Sequence, residues 1–444
     1  MSKTLLVNGT IVNEGQVYAA DVLIDGDRIG RIESGLPASS AETVIDVSGC
    51  HVLPGLIDDQ VHFREPGLTH KADIASESLA AVCGGVTSYM EMPNTTPPTT
   101  TVESLEEKRE RAQGRSHANF AFYLGATNDN IEEIKRVSPG DACGIKVFMG
   151  ASTGNMLVDD PATLERIFAE ATLPVATHCE DSPTIWHNEA QFRERYGDDV
   201  PMQCHPQIRS AEACYKSSSF AVELAKRFGT RLHVLHLTTE REMALFESGP
   251  LEGKHITAEV CVHHLWFDES SYAELGARIK CNPAIKRRED REALLAAVRD
   301  DRIDVIATDH APHTLEEKQQ RYFDAPAGLP LVQHSLQMLL EYYHRGLLTL
   351  EQIVRKAAHN PAILFGVKDR GFLREGCYAD IAVVNLERSQ RITTENVRYK
   401  CGWSPLEGEE LGASLVMTLV NGTIVVREGE VLVEPGGRAL EFSV

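Results

Sequence analysis

Three histidines, a lysine and an aspartate stand where short apolar runs of this chain end. His62 closes GLIDDQVHF, Lys146 lies inside GIKVFMG, His178 ends PVATH, His236 ends RLHVLH, and Asp309 follows IDVIAT. Imidazole and carboxylate groups brought to one point bind a divalent metal through nitrogen and oxygen. Any one of these histidines alone reads as an ordinary hydrogen-bonded structural residue; their joint placement points to a metal. Asp309, directly after a buried strand, costs several kcal/mol if left unpaired, so a cation beside it is the simpler account. Lys146 is the odd member. An ammonium is expensive inside an apolar strand, and burial drives it toward the neutral amine. A neutral amine takes up carbon dioxide, and the resulting carbamate is an anion able to bridge two metal ions. A lysine paired with a neighbouring carboxylate is the competing reading, and the strand alone leaves both open.

These residues need elements that carry them to one place. β-branched or apolar runs end near His62, Met92, Leu124, Phe148, His178, His236, Val260 and Thr308, which makes eight strand candidates. Between them SLEEKRERA, PATLERIFAEA, SAEACYKSSSFAVELAKRF and DREALLAAV repeat apolar positions at three and four residues, the helical period. Eight strand–helix units predict an α/β fold, a (β/α)8 TIM-like barrel whose reactive groups sit at the C-terminal strand ends. A doubly wound open sheet would carry a glycine-rich phosphate turn after its first strand, and none is present. The chain ends carry a repeat, LVNGTIV at 6–12 and again at 419–425. Both copies read as hairpins around Asn-Gly, with a further turn at Asp25-Gly26. One small composite β-sandwich domain from both termini, residues 1–52 and 378–444, would enclose a barrel at 53–377.

Composition narrows the function. The chain has 444 residues, 42% hydrophobic and 25% charged, which suits a globular protein. Lys plus Arg number 44 against 65 Asp plus Glu, a formal charge of −21 that repels phosphate backbones and anionic lipid surfaces. Neither nucleic acid nor a membrane is an expected partner. No run is long enough to span a bilayer and the start lacks a signal-peptide pattern, so a cytoplasmic location is expected. Ten cysteines without a C-x-x-C pair argue against a disulfide framework or a thiolate zinc site.

GLIDDQVHFREPG at 55–67, MPNTTPP at 92–98, GIKVFMG at 144–150, THCED at 177–181, LHVLHLTT at 232–239, KCNPAIK at 280–286 and ATDHAPH at 307–313 resemble the dihydroorotases. These are cyclic-amide hydrolases of the amidohydrolase superfamily. NPAILFGV at 360–367 and GFLREGCYADIAVVN at 371–385 are similar to the segment re-entering that superfamily's β-domain. The resemblance implies zinc-dependent interconversion of dihydroorotate and N-carbamoyl-L-aspartate, a step of pyrimidine biosynthesis. His62 would bind the more buried metal, His178 and His236 the second; carboxylated Lys146 would bridge, and Asp309 would be ligand and catalytic proton carrier. The chain departs from the D-x-H-x-H pattern at Gln60, where the first histidine should stand. Either the buried metal is held weakly and one zinc does most of the work, or Gln60 or Asp59 supplies a replacement oxygen; the expectation is a labile buried metal.

For the substrate, the resemblance makes Arg64, Asn94 and His313 a carboxylate clamp, with Asn282 and the backbone near Gly328 holding the ring amides. A planar guanidinium suits a ring carboxylate. Allantoinase and dihydropyrimidinase are the alternatives, sharing the metal pattern but not expected to place arginine at 64. The charged stretch Thr314–Ala327 reads as a mobile lid or a plain surface loop. His263 and His264 are expected to be structural, and Cys83-Gly84-Gly85 to serve close helix-to-strand packing. A homodimer is the default assembly. An inactive scaffold bound to aspartate transcarbamoylase is a hypothesis of another class, favoured by Gln60 and opposed by the intact remainder of the site.

Overall fold

The computed structural model describes residues 3–150 and 156–443. Eight parallel strand positions form a ring: Leu56–Val61, Val86–Glu91, Asn119–Phe122 with its continuation Leu124–Gly125, Ile145–Phe148, Val175–His178, Leu232–Val234, Ile256–Cys261 and Val305–Ala307. The ring closes between last and first strands, where His62 N donates to His310 O at 2.7 Å and Thr308 Oγ1 donates to Asp58 Oδ2 at 2.6 Å. These strands end within a residue or two of the positions read from the sequence, because each is a short run buried on both faces. The amphipathic stretches become helices Val102–Ala112, Pro161–Glu170, Ala211–Phe228 and Arg288–Arg299. Asp160 and Ser210 cap two of them by accepting from the third helical amide. The fold is a (β/α)8 barrel carrying a β-sandwich domain.

Strands from both chain ends share one nine-stranded sheet. Its centre is the antiparallel pairing of Ile381–Asn385 with His51–Pro54, in register Ala382 to Leu53. Leu6, Ile11, Val22, Val52, Ile381, Val383, Met417 and Leu419 bury one another beneath it. The two heptapeptides behave differently. At 421–422, Asn421 (φ 50°) and Gly422 (φ 77°) turn a two-residue hairpin between Val420 and Thr423, as expected. At 8–9 there is no turn. Asn8 (φ 62°) sits in a bulge inside the single strand Lys3–Asn13, its amide donating to Asp21 Oδ1 at 2.9 Å. The chain turns later, at Glu14-Gly15. The same two residues serve either purpose because both bulge and turn need the asparagine at positive φ; only the turn also needs it at the glycine, and the pairing on each side decides which forms.

The C-terminal segment also reaches the barrel mouth. Trp403 Nε1 donates to His313 O at 2.8 Å, and Lys400 N donates to Glu77, whose other oxygen accepts from His310 at 2.7 Å. Gly84, between helix Ile74–Cys83 and the second barrel strand, packs against the Gln333 backbone, where a Cβ would lie 2.3 Å from Gln333 O. All ten cysteines are free and none is exposed. No helix among the described residues is long and apolar enough to cross a membrane.

Candidate active site

At the C-terminal ends of the barrel strands lies a cavity of about 210 Å³, lined by Gln60, His62, Arg64, Asn94, Lys146, His178, His236, Asn282, Asp309, His313 and Gly328. Every residue singled out in the sequence as ligand, proton carrier or substrate contact borders this one space, except Asp59, the alternative to Gln60. Three reach it through unusual backbone: Arg64, His236 and Asp309, each just past a strand, have φ of 67°, 39° and 46°. Such conformations cost of order 1–3 kcal/mol each and cluster where side chains must be aimed.

His178 and His236 meet at 3.0 Å, Nδ1 to Nε2. His178 Nε2 is 2.9 Å from Glu180 Oε2, so its proton belongs on that nitrogen and its Nδ1 lone pair faces His236. Glu180 is fully buried and also accepts from Arg209. Burial alone would raise its carboxyl, but the Arg209 charge and His178 hold it well below the ordinary range. A carboxylate fixing the tautomer of a histidine is the arrangement that surrounds bound metals. Burial holds His178 and His236 below the usual imidazole value, keeping them neutral as ligation requires.

On the opposite wall His62 Nε2 lies 3.0 Å from Asp309 Oδ1 and its Nδ1 lies 2.7 Å from Asn94 Oδ1. Gln60 Nε2 also donates to Asp309 Oδ1, at 3.2 Å. Gln60 thus presents its amide nitrogen to the carboxylate, while its oxygen faces Cys261 Sγ at 3.7 Å. Burial raises Asp309, yet His62 and the nearby positive groups leave it lowered overall, an ionised carboxylate at neutral pH. Between the two walls, buried Lys146 Nζ has no hydrogen-bond partner among the described residues. Burial pushes its pKa down to about 8, against the opposing pull of Asp309 and Glu259.

The far end of the cavity is electropositive. Arg64 is buried, and among the described residues no carboxylate lies within ion-pair distance of it; Nε donates to Pro312 O at 3.0 Å and Nη2 is 3.0 Å from His313 Nε2. His313 Nδ1 accepts from Lys71 at 3.0 Å, so Nε2 carries the proton and donates to Ala327 O at 2.9 Å. That nitrogen has no lone pair for Arg64, whose Nη2 is therefore available to a ligand. With its oxygen turned toward Arg209, Asn282 accepts at 3.2 Å and its nitrogen donates to Cys281 O at 3.0 Å.

Residues 51–425 match the family model described as the amidohydrolase family. The chain belongs to the amidohydrolase family. This amidohydrolase is 33% identical to a dihydroorotase of Methanothermobacter thermautotrophicus over 94% of this chain and 92% of that one. It is also 33% identical to a dihydroorotase of Bacillus cytotoxicus, over 97% and 99% of the two. Among solved structures it resembles the L-hydantoinase (dihydropyrimidinase) from Arthrobacter aurescens, with TM-score 0.94 and 28% identity over 99% and 100% of the chains. A dihydropyrimidinase from Brevibacillus agri NCHU1002 follows at TM-score 0.90 and 25% identity over 99% of each. The amidohydrolase is an enzyme, a hydrolase acting on a small molecule.

Some residues around its pocket escape a reading of the sequence. Glu180 and Arg209 stand 29 residues apart and look like ordinary surface charges. Lys318 lies in the stretch read as a mobile lid, yet its Nζ is buried and donates to the carbonyls of Lys280, Pro326 and Gly328 at 3.0, 2.8 and 2.8 Å. That segment is anchored, with Pro326 and Ala327 forming part of the cavity wall. Asp59, weighed as an alternative pocket ligand, faces away from the cavity into the barrel interior, 3.2 Å from His233 Nε2.

Proposed function

We propose that this amidohydrolase is a dihydroorotase, opening the ring of dihydroorotate to N-carbamoyl-L-aspartate and closing it in reverse for pyrimidine synthesis. The observation that carries the reading is Arg64, a buried guanidinium at one end of the cavity with no acidic partner among the described residues. A substrate carboxylate is the natural counter-charge, and dihydroorotate bears one on its ring whereas hydantoin and dihydrouracil do not. Asn94 and His313 flank Arg64 and would complete the clamp; Asn282 and the Gly328 backbone would hold the ring amides.

The donor set suits zinc: buried Lys146 Nζ has no hydrogen-bond partner among the described residues, and the neutral imidazoles of His178 and His236 converge beside it. His178 and His236 would hold one ion, His62 and Asp309 the other, with Lys146 carboxylated as the bridge. Gln60 is a poorer ligand than histidine and here turns its nitrogen to Asp309, which supports a weakly held second ion. When bound, zinc supplies Lewis acidity toward water and the ring carbonyl. Asp309, beside His62 on the cavity wall, takes the proton of the attacking water and returns it to the departing ring nitrogen. Arg64 fixes the ring so that its amide carbon faces this carboxylate.

The same reading divides the chain into a composite β-domain at 1–52 and 378–444 around a barrel at 53–377; residues 1, 2, 151–155 and 444 lie outside the described residues. On this reading the chain is a cytoplasmic homodimer that associates with aspartate transcarbamoylase. The test is turnover of dihydroorotate, dihydrouracil, hydantoin and allantoin by the isolated chain, with zinc measured in the same sample. Preference for dihydroorotate supports the assignment; faster turnover of an uncharged ring replaces it with a hydantoinase or dihydropyrimidinase activity. Absence of both zinc and turnover points to the scaffold.

A further inference from the structure

Directly beneath the cavity, Asp59, His233 and Glu259 from the first, sixth and seventh barrel strands face one another with no exposed surface. Their ligand atoms all lie within 4.8 Å of each other. Glu259 Oε1 accepts from His236 N at 3.0 Å on the pocket side, and the Phe365 ring packs on His233 at 5.9 Å on the other. Both Asp59 oxygens, Glu259 Oε2 and His233 Nε2 lack a hydrogen bond, and neither carboxylate has a lysine or arginine partner among the described residues.

The tautomer of His233 is fixed from behind. Thr257 Oγ1 donates to Leu232 O at 3.1 Å, so it must accept from His233 Nδ1, 2.8 Å away. In the neutral ring the Nε2 lone pair then faces two carboxylates, 3.2 Å from Asp59 Oδ2 and 3.5 Å from Glu259 Oε2. Three electron-rich groups in a dry interior require something positive among them. Protons are the competing occupants: burial lowers His233 but Asp59 and Glu259 raise it to about 9, so its ring takes one, and burial together with the Asp59 charge pushes Glu259 up to about 7, so the cluster becomes neutral only when Glu259 takes a second. The separations also exceed the ~2.7–2.9 Å of a charge-assisted N–H···O bond. They match instead the ~3.3 Å between neighbouring ligands of a tetrahedral ion bonded at ~2.0–2.1 Å. A divalent ion neutralises both carboxylates at once, and the Thr257 bond is the outer support that ligating histidines carry. Tyr123, donating to Asp59 O at 3.0 Å, pins the strand that presents the third ligand.

We propose that Asp59, His233 and Glu259 form an interior site for a divalent first-row transition metal, separate from the ions of the catalytic cavity. Closed on all sides, it takes up its ion as the barrel forms and does not exchange it in the folded state. The test uses the full chain expressed with zinc, purified without added metal and dialysed against a chelator, with diffraction recorded on both sides of the zinc absorption edge. An anomalous peak within bonding distance of His233 Nε2 and of one oxygen each from Asp59 and Glu259 is expected. Asp59→Asn should lower zinc content by one equivalent per chain and abolish that peak; should this variant not fold, the wild-type map decides alone. A peak among Lys146, His178 and His236 with none at His233 overturns the interior site and leaves the proposed function standing. A peak at His233 with an empty cavity before dialysis supports the interior site and counts against the catalytic reading.

Discussion

Replacing Arg64 with methionine separates the substrate assignment from the fold. The guanidinium is buried and lacks an acidic partner, so its removal strands no carboxylate, and the methionine stem fills most of the same space. Each charge-assisted hydrogen bond to a ring carboxylate is worth about 1.5–3 kcal/mol, and a bidentate guanidinium forms two. The loss is therefore about 3–6 kcal/mol, or roughly 10²- to 10⁴-fold in kcat/KM at 1.36 kcal/mol per decade. It should fall mainly on KM, because the carboxylate keeps its charge throughout the reaction. Dihydrouracil, the same ring without the carboxylate, supplies the control and should be turned over as before or slightly better. Steady-state kinetics of Arg64→Met on both rings is the assay. Equal losses on the two would refute the clamp and remove the main argument for dihydroorotate.

Asp309→Asn should keep part of the zinc while turnover falls by about 10²- to 10⁴-fold, and a near-native rate would exclude Asp309 as the proton carrier. Lys146 must be neutral to react with carbon dioxide, and burial sets its pKa near about 8, so the reactive fraction rises with pH. Between pH 6.5 and 8.5, at fixed dissolved carbon dioxide, reactivation of metal-stripped chain by zinc should accelerate roughly 25-fold by the Henderson–Hasselbalch relation; a flat profile contradicts the carbamate. Gln60→His should tighten the second ion by at least about tenfold, or ~1.4 kcal/mol, in a chelator competition, whereas unchanged affinity would mean that residue 60 does not touch the metal. Glu180→Gln should weaken zinc binding by about 10- to 100-fold through the loosened His178 ring, read by the same competition.

Much of the barrel and its cavity is legible in the sequence because the relevant signals are local. Each strand is one short apolar run, and His62, Arg64, His178, His236 and Asp309 stand at or just past the end of one. What escapes is decided by partners far along the chain. The carboxylate of Glu180 looks solvent-exposed until Arg209, contributed by a later loop, is folded over it. The 314–327 stretch carries charges that suggest water, yet its one lysine, Lys318, donates to three backbone carbonyls. Asp59 is one residue from Gln60 and seems equally placed for the pocket, but register irregularity between Asp58 and Val61 turns it toward His233. The first LVNGTIV misleads for the same reason, since bulge and hairpin both hold the asparagine at positive φ, only the hairpin also holds the glycine there, and pairing far along the chain decides between them.

The pairing of Leu53 with Ala382 ties the entrance of the barrel to strands made long afterwards. At ribosomal speeds of ~5–20 residues per second, about a quarter of a minute to a minute passes between synthesis of the two partners. Throughout that interval the edge at His51–Pro54 has no neighbour on its open side, and the first barrel strand hangs from it. The nascent enzyme is thus most exposed to self-association before its last seventy or so residues emerge, and a shortened C-terminus would hold it in that state permanently.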